Sequence, residues 1–208
     1  MFQMRYFLVA LVCYSVLSIP NSGSAQTFRG GMLVGINFSQ IDGDNIYGYR
    51  KIGLLGGVTV RTSLHPRWDI ALEMLYDQQG SSVFTAFTNP KDPGQIILDY
   101  VSFPLIFKYK DWMVERREGA ADFYRFEFDM GLQYGRAFRI LGGGFPITDF
   151  LSKHFFGFLL GGQYFFTPYL AGQVRYTQAF WPIHRYEDGD LIRNVIPYKI
   201  HFAMVYMP

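Results

Sequence analysis

Between Tyr124 and Tyr134 large and polar side chains alternate without a break: Tyr124, Phe126, Phe128, Met130, Leu132 and Tyr134 fall on one parity, Arg125, Glu127, Asp129, Gly131 and Gln133 on the other. Successive side chains of a β-strand point to opposite faces, so this run is a strand with one apolar and one charged face. The same period recurs in seven other segments, at about 28–40, 50–64, 68–79, 96–110, 153–165, 169–180 and 197–206. In the third, Trp68, Ile70, Leu72, Met74 and Tyr76 oppose Asp69, Ala71, Glu73, Asp77 and Gln79. The fourth contains Pro104, which cannot donate a ladder hydrogen bond, so irregular pairing is expected there.

Aromatic residues at the ends of the apolar faces suit a strand that crosses a bilayer in a closed barrel, although a soluble sandwich shows similar alternation. The connections separate the two. The first, third, fifth and seventh, at about 41–49, 80–95, 139–152 and 181–196, are long. His65-Pro66-Arg67 and Phe166-Thr167-Pro168 are tight, and the segment 111–121 between them is longer and charged. Alternating loop length is a property of membrane barrels, with short turns and both termini on the periplasmic side. The expected fold is therefore all-β: an eight-stranded antiparallel up-and-down transmembrane β-barrel over 26–208.

Residues 1–25 read as a cleaved signal peptide: Arg5, an apolar run from Tyr6 to Ile19, then Pro20 and small residues ending at Ala25. The one cysteine, Cys13, lies inside that run behind Val12, which lacks the small side chain of a lipoprotein cleavage site. The mature chain then has no thiol for disulfides or thiolate metal sites. Aromatics make up 19% of the chain and net charge is +2. That balance gives no reason to expect a nucleic-acid partner. After the leader no apolar run reaches the roughly 18 residues of a spanning helix. Such a chain belongs in the outer membrane, surrounded by phospholipid and lipopolysaccharide.

The run Gly35-Ile-Asn-Phe-Ser-Gln-Ile-Asp-Gly-Asp44, followed by Gly48-Tyr49 and Gly53-Leu54, resembles the first hairpin of PorT-like outer-membrane β-barrel proteins of the Bacteroidota. Glu73-Met-Leu-Tyr76, Gln79-Gly80-Ser81, Leu98-Asp-Tyr100 through Pro104, and Arg175-Tyr176 extend the resemblance through most of the mature chain. It implies an eight-stranded outer-membrane barrel and, through the family's founding member, a link to type IX secretion. Fold alone does not fix activity.

The polar parity places Arg61, Glu73, Lys108, Arg125, Glu127, Asp129, Arg175 and Lys199 in the lumen. An eight-stranded barrel is only wide enough for side chains to fill it, and buried charges must pair. These residues are therefore expected to form a salt-bridged filling rather than a polar pathway. Gly31, Gly35, Gly53, Gly57, Gly131, Gly157 and Gly161 share that face and are expected to make room for the long cations. Hydrolase chemistry would need a Ser–His or Asp–His pair; His65, His154, His184 and His201 lie apart from Asp99 and Ser102 along the chain, so no catalytic site and no cofactor is expected.

Two further features carry candidate chemistry. Asp42 and Asp44 fall in the first external loop, and Asp188 and Asp190, beside Glu187, in the last. Barrel closure makes those loops neighbours, and their carboxylates would supply oxygen ligands for calcium, although Asp-Gly pairs are also ordinary turn formers. In the charged segment, Trp112 and Met113 either extend the fourth strand into the membrane interface or, with Arg116 and Arg117, meet a periplasmic or membrane protein partner. The leading functional expectation is a non-enzymatic structural or accessory subunit of a secretion or assembly complex. The alternatives are a small porin-like channel and a lipid-modifying enzyme.

Overall fold

The computed structural model describes residues 28–42, 48–82, 95–115, 122–142, 151–188 and 191–208. They form nine strands: β1 (Phe28–Asp42), β2 (Lys51–His65), β3 (Trp68–Ser82), β4 (Gln95–Val114), β5 (Phe123–Gly142), β6 (His154–Phe165), β7 (Leu170–Ala179), β8 (His184–Asp188) and β9 (Leu191–Tyr206). Each of the first six pairs antiparallel with the next; β9 pairs with β7 and returns to β1 over Met32↔Tyr206 to Asp42↔Ile196. The sheet is therefore closed. Its eight staves are β1 to β7 and β9, while β8 pairs with the extension of β9 beyond the point where β7 leaves it.

The seventh connection, expected as a long loop, is corrected by this hairpin. His184↔Val195 through Asp188↔Leu191 make a ladder where a loop over 181–196 was expected, and only 189–190 separate the two strands. Pro182 and the Asp-Gly signal mark breaks in chain direction without showing whether the backbone between them pairs. The turn Pro66-Arg67 and the four-residue link 166–169 lie at the end of the barrel where β1 begins and β9 ends.

The irregularity expected at Pro104 falls on one side only. Pro104 keeps register with Gln133 of β5, but the β3 ladder skips from Leu72↔Leu105 to Leu75↔Ser102. The register shift of β4 against β5 lies instead between Asp99 and Tyr100, where Phe138 is left without a partner.

The wall follows the alternation. Val34, Val58, Leu72, Phe107, Met130, Leu160, Val174 and Met204 face outward and are exposed in the isolated chain. Trp68, Tyr109, Tyr164 and Tyr206 ring the turn end; Tyr49, Tyr76, Tyr134 and Trp181 ring the loop end. This apolar band between two aromatic girdles is the surface a bilayer requires.

Inside, an apolar cluster that includes Ile41, Leu98, Tyr100, Phe155, Ile183 and Val195 occupies the loop end of the lumen. A second, with Leu33, Leu55, Leu75, Phe165, Val205 and Met207, lies toward the turn end. At six of the seven inward glycines, all but Gly31, an added Cβ would first meet a backbone carbonyl oxygen rather than a cation. A Cβ on Gly53 would run into the Gln78 carbonyl of β3, and one on Gly161 into the Val174 carbonyl and the Arg175 backbone. The obstacle is backbone of a nearby strand rather than a long cation, so glycine here permits close approach of the coiled strands.

Candidate functional site: the charged lumen

Charged side chains from β2, β3, β4, β5, β7 and β9 converge on the barrel axis. Arg175 of β7 reaches Glu73 of β3 through two parallel bonds, Nη1 to Oε2 at 2.8 Å and Nη2 to Oε1 at 3.2 Å. In the order of the staves, β3 and β7 are diametrically opposed, so this pair spans the lumen. Arg175 Nη2 also donates to Asp129 Oδ2 at 2.8 Å, and Lys108 Nζ donates to Asp129 Oδ1 at 2.8 Å. Glu127 accepts Arg61 Nη1 at 2.8 Å and lies 3.9 Å from Lys108. Asp69 lies 3.8 Å from Arg61 and accepts Lys110 Nζ at 2.6 Å.

The result is one chain of alternating sign: Lys110, Asp69, Arg61, Glu127, Lys108, Asp129, Arg175 and Glu73. Four cations meet four anions. Around it, Lys199 pairs with Asp77, whose carboxylate also accepts from Asn37 at 3.0 Å and Gln79 at 2.8 Å. His201 Nε2 donates to Gln173 Oε1 at 3.1 Å. Arg175 and Asp129 side chains are fully buried. Taking such ions out of water costs several kcal/mol each, a cost that only close, bidentate and multiply hydrogen-bonded geometry offsets. At the turn end of the lumen the chain opens into a polar pocket of about 220 Å³ lined by Arg29, Arg61, Asp69, Lys110, Asp122 and Glu127.

Of the residues expected in this network, Arg61, Glu73, Lys108, Glu127, Asp129, Arg175 and Lys199 come together in the lumen. Arg125 does not. Its guanidinium lies 5.8 Å from the Trp112 ring centroid and 5.9 Å from that of Tyr164, which is on the outward face. Trp112 has φ of 56°, in the left-handed region, and the ladder passes from Asp111↔Phe126 to Met113↔Tyr124 without pairing Trp112 to Arg125. This local break, invisible to a period of two, carries Arg125 out of the lumen. Tyr124, expected outward, lines the polar pocket beneath Lys110, whose Nζ stands 5.6 Å from its ring.

Asp69, Asp77 and Lys110 were missing from the expected network. Asp69 and Asp77 already stood on the polar parity of the third segment; the cations that hold them come from other strands.

The remaining candidates scatter. Asp42 is exposed and accepts the Tyr198 hydroxyl at 3.0 Å, and the first loop touches β9 through the Tyr49–Tyr198 ring pair. Asp42 pairs with Ile196 and Asp188 with Leu191, five residues apart along β9, so at about 3.3 Å per residue their backbones are roughly 16 Å apart in the strand direction. Asp44 and Asp190 lie outside the described residues, and among those described no cluster of three potential metal ligands forms. Trp112 and Met113 are exposed at the end of β4; Arg116 and Arg117 lie outside the described residues, as does the expected leader. Ser102 Oγ is buried without a hydrogen-bond partner, Asp99 is paired with Arg139, and His154 Nδ1 lies 2.8 Å from the Tyr134 hydroxyl.

Against known proteins, residues 24–185 match the family model described as outer membrane protein beta-barrel domain. Among solved structures, Ail, the attachment invasion locus protein of Yersinia pestis, aligns at 12% identity over 86% of this chain and 98% of its own, with a TM-score of 0.46. Neisserial surface protein A aligns at 10% identity over 87% of this chain and 99% of its own, with a TM-score of 0.45. Outer membrane protein AlkL aligns at 15% identity over 90% and 94%, with a TM-score of 0.35. No curated protein sequence matches. With the family model covering well over half of its length, this chain belongs to the outer membrane protein beta-barrel domain family.

Proposed function

We propose that this outer-membrane barrel is a sealed, non-enzymatic scaffold, acting as a structural or accessory subunit of a membrane complex. The observation that carries the reading is the cross-lumen brace of Arg175 with Glu73 and Asp129. Side chains from opposite staves meet on the axis, and the charges there neutralise one another instead of lining a water-filled path. A porin-like channel needs the opposite arrangement, an open lumen with charge facing solvent. A lipid-modifying enzyme needs an activated nucleophile; Ser102 and Asp99 are engaged or enclosed in other ways.

The turn end and both chain ends face the periplasm, the long connections face outward, and residues 1–25 are the export leader. The PorT-like hairpin from Gly35 to Leu54 suggests a place beside a secretion or assembly machine, type IX by that resemblance. Cysteines placed one at a time at Pro66 and within 83–94 test the orientation. On intact cells an impermeant maleimide labels the second only; labelling at Pro66 reverses it. Purification from native envelopes in mild detergent tests the accessory role. Stoichiometric membrane or periplasmic partners are the expected result, and recovery of the bare barrel contradicts it.

A further inference from the structure

Arg125 is a cation that the barrel turns away from its own carboxylates. The lumen beside it contains Glu127, already bonded to Arg61, yet the break at Trp112 sends the guanidinium to the outer wall. A tryptophan in the left-handed region is disfavoured and persists only where its surroundings impose it. The product of that strain is an arginine held between two rings in the turn-end girdle, with its Nε shielded and lacking any hydrogen-bond partner. Trp112 and Met113 stand exposed around it.

The wall next to this arginine is notched. On β4, β5 and β6 and the first residue of β3, toward the membrane centre, an apolar groove of about 560 Å³ is lined by Trp68, Phe107, Tyr109, Phe128, Met130 and Leu160. Gly162, paired with Phe128, leaves the outward face of β6 without a side chain between Leu160 and Tyr164. Arg67 closes the upper edge, its Nη1 3.4 Å from the Tyr109 hydroxyl. Asp111 lies within electrostatic reach of Arg67, and Glu115 follows the end of β4 as an exposed carboxylate. Asp122 opens instead toward the lumen pocket. The patch presents a ring-held guanidinium where headgroups lie and is concave and apolar where acyl chains lie.

We infer that Arg125, with Trp112 and Tyr164, binds the phosphate of an anionic phospholipid, one of whose acyl chains lies in the groove between Trp68 and Leu160. Guanidinium is the side chain best matched to phosphate oxygens, and the two rings hold its plane fixed so that little freedom is lost on binding. Aromatic residues at this depth mark the headgroup level. Arg67 supplies the second positive charge.

Native mass spectrometry tests the assignment. The intact barrel is released from micelles containing equimolar phosphatidylglycerol and phosphatidylcholine, and heat-modifiable gel mobility reports its folding. The native protein retains one phosphatidylglycerol in preference to phosphatidylcholine. In Arg125→Gln that preference falls about tenfold, as for loss of a charge-assisted hydrogen bond. Arg136→Gln, at the other end of β5, keeps it. Equal retention of the two lipids by the native chain overturns the inference, as does an unchanged preference in Arg125→Gln or an equal loss in Arg136→Gln. If Arg125→Gln does not fold, Arg125→Lys replaces it: a preference undiminished without the planar group overturns the stacked geometry. An acidic protein segment is the other occupant of matching charge; loss of a co-purifying protein with lipid retention unchanged would assign the site to it.

Discussion

Arg175 in the lumen and Arg125 on the wall are two arginines of one barrel, one fully buried and the other half-buried, and they are stabilised by different means. Arg175 receives two carboxylates at 2.8 Å, Glu73 from the opposite strand β3 and Asp129 from β5, two staves away. Arg125 receives two aromatic rings and no carboxylate among its described contacts. The contrast shows where each region finds its counter-charge. The central lumen ions are buried, so each must be matched by protein. The rim is bathed in headgroups, so the protein can orient a cation and leave the anion to the membrane.

Breaking the lumen side has the largest expected effect. Arg175→Met leaves Glu73 and Asp129 buried with a deficit of positive charge and destabilises the barrel by about 3–5 kcal/mol, read from the temperature at which heat-modifiable mobility is lost. Adding Glu73→Gln to that variant removes one of the stranded charges. The double variant is expected to be more stable than the sum of the two single changes, with a coupling of roughly 0.5–3 kcal/mol in a double-mutant cycle. Simple additivity would mean that the pair does not act as a brace.

Gly53→Ala probes how closely the strands around that lumen are drawn together. Its methyl would meet the Gln78 carbonyl, and the expected cost is about 1–3 kcal/mol in the same unfolding assay. A neutral result would return the inward glycines to the role of making space for cations. The smallest stability effect belongs to the wall. Arg125→Gln removes only a cation–π sandwich at the rim and is expected to cost about 0.5–1 kcal/mol. A loss as large as that of Arg175→Met would place Arg125 in the structural network after all.

The sequence made much of this legible, and unevenly. Inside/outside alternation is a local property, so the strands and the membership of Arg61, Glu73, Glu127, Asp129, Arg175 and Lys199 in the lumen follow from parity. Which charge meets which does not. The Arg175–Glu73 pair joins residues 102 apart across the barrel, and its existence depends on strand tilt and stagger that no short segment encodes. Arg125 was misplaced for the complementary reason. One backbone angle at Trp112 breaks the period, and a tryptophan in sequence gives no sign of a positive φ. The β8–β9 hairpin was hidden because Trp181-Pro182 and Asp188-Gly189 read as loop formers, whereas extended pairing depends on the partner strand.

The central claim is that matched charges and packed apolar clusters close this lumen. Single-channel recording in planar bilayers tests it directly, with the folded native protein added at a density that ensures insertion. The account predicts a silent membrane across the physiological voltage range, with conductance appearing only when the brace is cut, as in Arg175→Met. Regular conductance steps from the native barrel would contradict it and make the charged lumen a pathway rather than a seal.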